Sequence, residues 1–236
     1  MRAGFLIAGL ALAFAAQAGN EKLDYAHQDT WQVVHGKAQS PIGITTGKAV
    51  PAATDEPQVL QLPQGHAEVE DVVDNGHAVE VETHPAVAMI RGRPFSLAQF
   101  HFHAQSEHTI NGKHYPLEGH FVFKAQDGRL AVIGVMYEAG AANPVIQTVL
   151  DDLAGKHKAA GPQEIDLTAL LPKQHGLYHY LGSLTTPPLT ENVEWYVLET
   201  PVTMSEAQIA AFRSHYRHNN RNVQPLNGRP VIHYQG

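Results

Sequence analysis

Three histidines have the spacing of a metal site. His101 and His103 lie in the run QFHFH at residues 99–103, and His120 follows with 16 residues between it and His103. The alternation favours a β-strand, in which the two imidazoles share one face and Phe100 and Phe102 share the other. Same-face neighbours stand roughly 6.6 Å apart along a strand, so both rings can bind one cation with Zn–N bonds of about 2.0–2.1 Å.

A third histidine from a neighbouring strand would complete three neutral nitrogen ligands. Three such ligands leave the fourth tetrahedral position open, which is typical of catalytic rather than structural zinc. The chain contains 16 histidines, so the alternative is a chance pair on the surface or in a hydrogen bond. The other motifs of the chain have to decide between these interpretations.

Length and composition fit a globular protein with a substantial core. The chain has 236 residues, of which 43% are apolar, and a formal net charge of −7. This is enough for one large domain or two small ones. No basic stripe or cluster is present, which argues against nucleic acid or an anionic membrane as a partner.

The first residues have the pattern of a secretory signal. Arg2 precedes 14 apolar or glycine residues at 3–16, and residues 16–18 form an A-x-A cleavage site. We predict a signal peptide at 1–18 and a mature domain at 19–236. A retained anchor is the alternative, but the apolar run is shorter than the roughly 20 residues that span a bilayer. The prediction is export across the inner membrane, into the periplasm of a Gram-negative source. Cysteine is absent, so no disulfide forms.

The apolar pattern predicts more strands than helices. Strand patterns lie at residues 77–83, 130–137 and 193–198, and the second of these, LAVIGVMY, suits a strand buried on both faces. Residues 51–63 are rich in proline and alanine and predict a loop.

Two helices are predicted from their start signals. Asn143 followed by Pro144 predicts a helix that ends at Gly155. A second helix is predicted to begin at Thr203, with Glu206 three residues later as a capping box.

Seven short motifs occur in an order that resembles one enzyme family. The motifs are QSPI at 39–42, NGHA at 75–78, QFHFH at 99–103, SEHT at 106–109, EGH at 118–120, GSLTTPPL at 182–189 and QPLNGR at 224–229. With these motifs the chain resembles the α-class carbonic anhydrases from about residue 25 to residue 229. The resemblance implies a single-domain, mainly β (α+β) fold around a ten-stranded, largely antiparallel sheet with a few surface helices.

The same resemblance implies zinc-dependent, reversible hydration of carbon dioxide to bicarbonate and a proton. Zn²⁺ would be bound by His101, His103 and His120, and zinc-bound hydroxide would attack the substrate. Ligating histidines need partners that orient them. The resemblance assigns Gln99 to His101, the backbone carbonyl of Asn219 to His103, and Glu118 to His120.

Two catalytic roles follow from the resemblance alone. Thr185 would accept a hydrogen bond from the hydroxide and donate its own proton to a buried Glu107, while Thr186 would contact bicarbonate. The alternative for this segment is an ordinary turn before a strand. His77 would act as the proton shuttle. Tyr25 would join the ordered waters that lie between the zinc and His77. The alternative for His77 is a surface histidine at the Asn-Gly turn.

The remaining implied site is apolar, as an uncharged substrate requires. Its residues are Val122, Val132, Leu184 and Trp195. Core packing is an alternative for each of them. The expected partner is a small molecule, and the expected assembly is a monomer or a homodimer.

Glu80 departs from the family pattern, where a neutral amide is common. We predict that its charge raises the pKa of His77. Two other functions stay open at this stage: a secreted zinc-binding protein without turnover, and a hydrolase that acts mainly on esters.

Overall fold

The computed structural model describes residues 23–31, 33, 35–53, 59–156, 163–173 and 176–236. Its α-helices are α1 (Pro144–Leu153) and α2 (Glu206–His215). Its strands are β1 (Gly43–Ile44), β2 (Val50–Pro51), β3 (Leu60–Gln61), β4 (His66–Asp74), β5 (Val79–Thr83), β6 (Val87–Ile90), β7 (Arg93–His103), β8 (Thr109–Ile110), β9 (Leu117–Ala125), β10 (Leu130–Ala139), β11 (Gln163–Asp166), β12 (Leu177–Ser183), β13 (Glu191–Leu198), β14 (Val202–Met204) and β15 (Ile232–Tyr234). The predicted mainly β fold is confirmed. The predicted signal peptide at 1–18 lies outside the described residues, and neither helix within them is long and apolar enough to cross a membrane.

One large sheet organises the described residues. Ten of its strands lie in the order β11-β4-β5-β7-β9-β10-β13-β12-β15-β2, and β3, β6 and β14 pair beside this row. The sheet therefore has 13 strands rather than the ten predicted, because short segments pair their backbone with the strands next to them. Most pairs are antiparallel, but β10 runs parallel to β13 and β14, and β15 runs parallel to β2.

The central strand β10 is buried on both faces, as its apolar run predicts. Ile133 and Tyr137 point to a large apolar cluster that also contains Phe100 and Phe102. Val132 and Met136 point to a second cluster on the other face. Since side chains alternate along a strand, the apolar clusters hold the sheet from both sides and fix which face each histidine occupies.

The first helix begins where the sequence predicts. Asn143 is the N-cap of α1, and its side chain accepts hydrogen bonds from the backbone amides of Val145 at 3.0 Å and Ile146 at 3.2 Å. The helix ends at Leu153, and Gly155 follows in a left-handed conformation with φ +73°. Both ends therefore follow from local capping chemistry.

The second helix begins three residues later than predicted. Ser205 is the N-cap of α2, and Gln208 completes the capping box. Thr203 instead lies in β14, where it pairs with Glu138 of β10. The predicted box was wrong because pairing with the sheet holds the Thr203 backbone in an extended conformation.

Two other predicted boundaries shift. The strand predicted at 77–83 begins at Val79, because the residues before it form a turn around the Asn75 side chain. The predicted loop at 51–63 contains the end of β2 and all of β3, while 54–58 lie outside the described residues.

Candidate metal centre and active site

The three candidate ligands lie on neighbouring strands and face one another. His101 and His103 end β7, and His120 of β9 stands directly opposite His101 in the antiparallel register. Ring centroids are 5.0 Å apart for His101 and His103, 5.2 Å for His101 and His120, and 4.5 Å for His103 and His120. One nitrogen of each ring lies within 4.8 Å of the other two. These nitrogens can converge on one cation.

Hydrogen bonds on the far side of each ring select the nitrogen that faces the centre. The contacts are His101 Nδ1 with Gln99 Oε1 at 2.8 Å, His103 Nδ1 with the Asn219 carbonyl at 2.6 Å, and His120 Nε2 with Glu118 Oε1 at 2.9 Å. Each partner accepts, so each outer nitrogen carries the proton. The inner nitrogens are then unprotonated, as metal ligation requires.

Burial keeps these imidazoles neutral. Desolvation lowers the pKa of His103 to about 4 and holds the pKa of His101 well below its ordinary value. Burial also lowers the pKa of His120. His103 Nε2 is buried and has no hydrogen-bond partner among the residues that the structure describes. Such an atom loses its interaction with water without compensation, and a metal ion would supply what it lacks. The donor set therefore fits zinc.

Glu118 is fully buried beside His120 and is fully hydrogen bonded. Its Oε2 accepts from the backbone amides of Glu107 and His108, both at 2.8 Å. Its Oε1 accepts from His120 and also from His108 Nδ1, at 2.7 Å. Burial alone would raise the pKa of Glu118, but His108 and His120 hold it well below the usual carboxyl range. The carboxylate is therefore a fixed negative group that orients His120.

Sequence analysis assigned no role to His108. Its Nε2 lies 2.7 Å from the Tyr180 hydroxyl, and that hydroxyl lies 2.8 Å from Ser40 Oγ. A chain of buried polar contacts therefore leads away from Glu118. The SEHT motif contained His108, but the motif does not show its contacts with Glu118 and with Tyr180, which lie 10 and 72 residues further along the chain.

Glu107 lies next to His103 and His120, with nitrogen–oxygen distances of 3.7 Å and 4.0 Å. It is 0% exposed, and its Oε1 accepts from the Arg221 backbone amide at 2.6 Å. Burial raises the pKa of Glu107 to about 7, while His120, Arg221 and Thr185 oppose this rise. Within the part of the chain that the structure describes, no hydrogen bond within 3.5 Å reaches Glu107 Oε2. Thr185 is buried and close enough to lower the pKa of this carboxyl group, so the two predicted partners lie near each other.

His77 lies in the turn between β4 and β5. Burial lowers the pKa of His77, and the charge that opposes this effect belongs to Asp74. Glu80 instead accepts a hydrogen bond from Asn75 Nδ2 at 3.0 Å. The prediction that Glu80 raises the pKa of His77 was wrong in direction and in partner, because desolvation outweighs attraction and Asp74 is the carboxylate that acts.

Tyr25 and Thr186, the two remaining predicted polar residues, differ in burial. The Tyr25 hydroxyl is buried and has no hydrogen-bond partner among the described residues, and burial raises its pKa well above the ordinary value. Thr186 is partly exposed, and its carbonyl accepts from the Leu189 amide at 2.9 Å, which closes the turn after Thr185.

The predicted apolar residues form one wall. Val132 is paired with Val122 of β9 on one side and with Trp195 of β13 on the other. The Trp195 ring lies 4.8 Å from the His120 ring, and its Nε1 donates to the Ser183 carbonyl at 2.9 Å. Leu184 packs against the same cluster and, like Val122, stays partly exposed. An apolar surface thus adjoins the histidines.

Comparisons with known proteins agree on one family. The family described as eukaryotic-type carbonic anhydrase matches residues 25–235. A carbonic anhydrase from Pectobacterium carotovorum is 43% identical over 202 residues, which cover 84% of this chain and 80% of that protein. Another from Pectobacterium atrosepticum is 44% identical over the same length, with the same two shares. The solved α-carbonic anhydrase from Thermovibrio ammonificans, in complex with the inhibitor sulfanilamide, is 40% identical with a TM-score of 0.72 and covers 84% of this chain and 87% of its own.

Proposed function

Since the chain belongs to the eukaryotic-type (α) carbonic anhydrase family, we propose that it hydrates carbon dioxide reversibly to bicarbonate and a proton, with Zn²⁺ held by His101, His103 and His120. The observation that carries the proposal is the buried Nε2 of His103, which none of the described residues meets with a hydrogen bond and which lies within 4.8 Å of the other two inner nitrogens. With zinc bound, water in the open fourth position would lose a proton near neutral pH and become the nucleophile, an effect for which carbonic anhydrases are the reference case.

Thr185 and Glu107 are proposed to orient the nucleophilic oxygen. A hydroxyl can accept and donate, whereas an ionised carboxylate only accepts. If Thr185 donates to Glu107, its own oxygen is left to accept from the nucleophile. The unpartnered Oε2 of Glu107 supports this direction, because it is the acceptor that such a bond needs.

His77 is proposed to carry the product proton to buffer. Burial lowers its pKa, so the ring gives up a proton readily near neutral pH. Tyr25 is proposed to order the waters between the centre and His77, since its buried hydroxyl has no partner of its own. Thr186 is proposed to contact bicarbonate at the partly exposed end of the turn.

The apolar wall is proposed to hold carbon dioxide. Val122, Val132, Leu184 and Trp195 offer it no charge and few hydrogen-bond donors, which suits an uncharged, weakly polar molecule. Binding there would place the substrate beside His120, because the Trp195 ring already contacts that histidine.

The proposal is tested by stopped-flow hydration of carbon dioxide with the protein spanning 19–236. Activity should disappear when a chelator removes zinc and should return with added zinc. His120→Ala should abolish hydration, while the control His84→Ala, which changes a half-exposed histidine next to Glu68 and Glu70 on the surface, should leave it intact. Bound zinc without hydration would favour a zinc-binding protein, and ester cleavage without hydration would favour a hydrolase.

Export is a second part of the proposal. We propose that residues 1–18 are removed as a signal peptide and that the mature protein acts in the periplasm. The intact mass of protein recovered from the periplasmic fraction would test this. A mass that includes residues 1–18 would refute cleavage.

A further inference from the structure

The backbone of His77 is held by two asparagine side chains. Asn75 Oδ1 accepts from the amides of His77 at 3.1 Å and Ala78 at 2.8 Å. On the opposite side, Asn219 Nδ2 donates to the His77 carbonyl at 2.9 Å. The amide and the carbonyl of His77 are therefore both satisfied by side chains, while one backbone bond, from the Asn75 amide to the Ala78 carbonyl at 3.2 Å, closes the turn.

The orientation of the Asn75 amide is set by the groups around it. Its oxygen accepts only and its NH₂ group donates only. Two backbone N–H donors point at one end, so the oxygen must lie there and the NH₂ group must point the other way. At that other end Nδ2 donates to Glu80 Oε2 at 3.0 Å. Glu80 therefore accepts a hydrogen bond from the NH₂ group of Asn75, which points away from the His77 backbone.

Glu80 lies on the side of the sheet that carries the histidines. In the register of β5 with β7 it stands opposite His101, while its neighbours Val79 and Val81 stand opposite Phe102 and Phe100 and face the apolar core. A carboxylate at this position interrupts no core packing. Its carboxylate accepts a hydrogen bond from Asn75, whose oxygen holds the turn that contains His77.

We propose that Glu80 is a positioning residue that acts through Asn75 to hold the His77 turn for proton transfer. The inference rests on the proposed shuttle role of His77. Proton export follows release of bicarbonate, so it enters kcat but not kcat/KM for carbon dioxide. Loss of positioning should therefore lower kcat and leave kcat/KM unchanged.

Three variants separate positioning from charge. Glu80→Leu removes the acceptor and the charge. Glu80→Gln removes the charge but keeps an oxygen that can accept from Asn75. The matched control Glu82→Gln removes a carboxylate from the same face of β5, two residues away, and leaves the hydrogen bond between Asn75 and Glu80 in place.

The first readout needs no activity and uses the metal-free protein. Hydrogen exchange of the His77 and Ala78 amides, followed by NMR, should be about fivefold faster in Glu80→Leu, the effect of one lost hydrogen bond of about 1 kcal/mol. Glu80→Gln and Glu82→Gln should exchange like the wild type. Unchanged exchange in Glu80→Leu would overturn the proposal.

The second readout is the split between kinetic parameters. Glu80→Leu should lower kcat about fivefold with kcat/KM unchanged, and imidazole in the buffer should restore kcat. Equal losses in Glu80→Leu and Glu80→Gln would show a charge effect and would also overturn the proposal. If the wild type fails to hydrate carbon dioxide, the proposed function fails, whereas the exchange result still decides whether Glu80 holds the turn.

Discussion

Replacing Glu118 by glutamine should weaken zinc binding although the side chain keeps its size. The carboxylate is fully buried and accepts four hydrogen bonds, from the amides of Glu107 and His108, from His108 Nδ1 and from His120 Nε2. Glutamine replaces one accepting oxygen by an NH₂ group that only donates. The groups around one end of the side chain must therefore change from donors to acceptors.

The backbone decides which end changes. The two amides that meet Oε2 can only donate, so the glutamine oxygen must remain there. The NH₂ group then faces His120 Nε2, which has to accept, and the proton of His120 moves to Nδ1. That nitrogen is the one that faces the metal centre, so His120 loses its ligand form. His108 can adapt, because its Nε2 faces the Tyr180 hydroxyl, which can accept instead.

The expected size follows from the lost contact. A hydrogen bond to a charged group is worth about 1.5–3 kcal/mol, which corresponds to about 10–100-fold in a binding constant. Changes to partners of metal-bound histidines typically have effects of the same order. We expect zinc affinity to fall by about 100-fold, because the change of tautomer removes one of three ligands as well as the hydrogen bond.

The assay is competition for zinc against a chromophoric chelator at pH 7.5. The control is Glu82→Gln, the same chemical change on an exposed carboxylate of β5. Urea unfolding of the metal-free proteins separates loss of affinity from loss of fold. A dissociation constant for Glu118→Gln within threefold of the wild type would refute the tautomer reasoning.

Three further outcomes follow from the structure. Zinc affinity should fall little between pH 7 and pH 5. Burial lowers the pKa of all three histidines, that of His103 to about 4, so protons compete with zinc only below the pH at which ordinary imidazoles titrate. A steep loss of affinity just below pH 6.5, measured with the same chelator, would contradict this. Gly182→Ala should destabilise the fold by about 3 kcal/mol in urea unfolding. A Cβ there would lie 2.1 Å from Ser40 Oγ, and the Ser183 amide holds that oxygen in place. A loss below about 0.5 kcal/mol would show that Ser40 can move. Asn143→Ala should lower the free energy of unfolding by about 2 kcal/mol, since it removes the cap of α1 and the donor to the Ala169 carbonyl at 2.6 Å. Asn143→Asp keeps the cap, so equal losses in both variants would assign the whole effect to the contact with Ala169.

Local patterns predicted the parts of the fold that depend on neighbouring residues. Alternation placed Phe100 and Phe102 on the face opposite the two histidines, and the structure shows that this face packs into the core. A continuous apolar run predicted the buried β10, and an N-cap before a proline marked the start of α1. The start of α2 was misplaced, because pairing with β10 extends the backbone at Thr203. The three additional strands of the large sheet, β3, β6 and β14, are two to four residues long and have too few residues to show a period of their own.

The sequence by itself determined the family to which the chain belongs, and the types and order of the candidate metal ligands. Tertiary structure decided which hydrogen bonds those groups form and in which direction their pKa values shift. The contact between His103 Nδ1 and the Asn219 carbonyl joins residues 116 positions apart, and it selects the nitrogen that faces the centre. Burial reversed the expected shift in the pKa of His77, and the fold turned Glu80 towards Asn75. The physical reason is that desolvation and hydrogen-bond direction depend on the atoms that surround a group in space. The spacing of residues along the chain shows only the neighbours that are close in sequence.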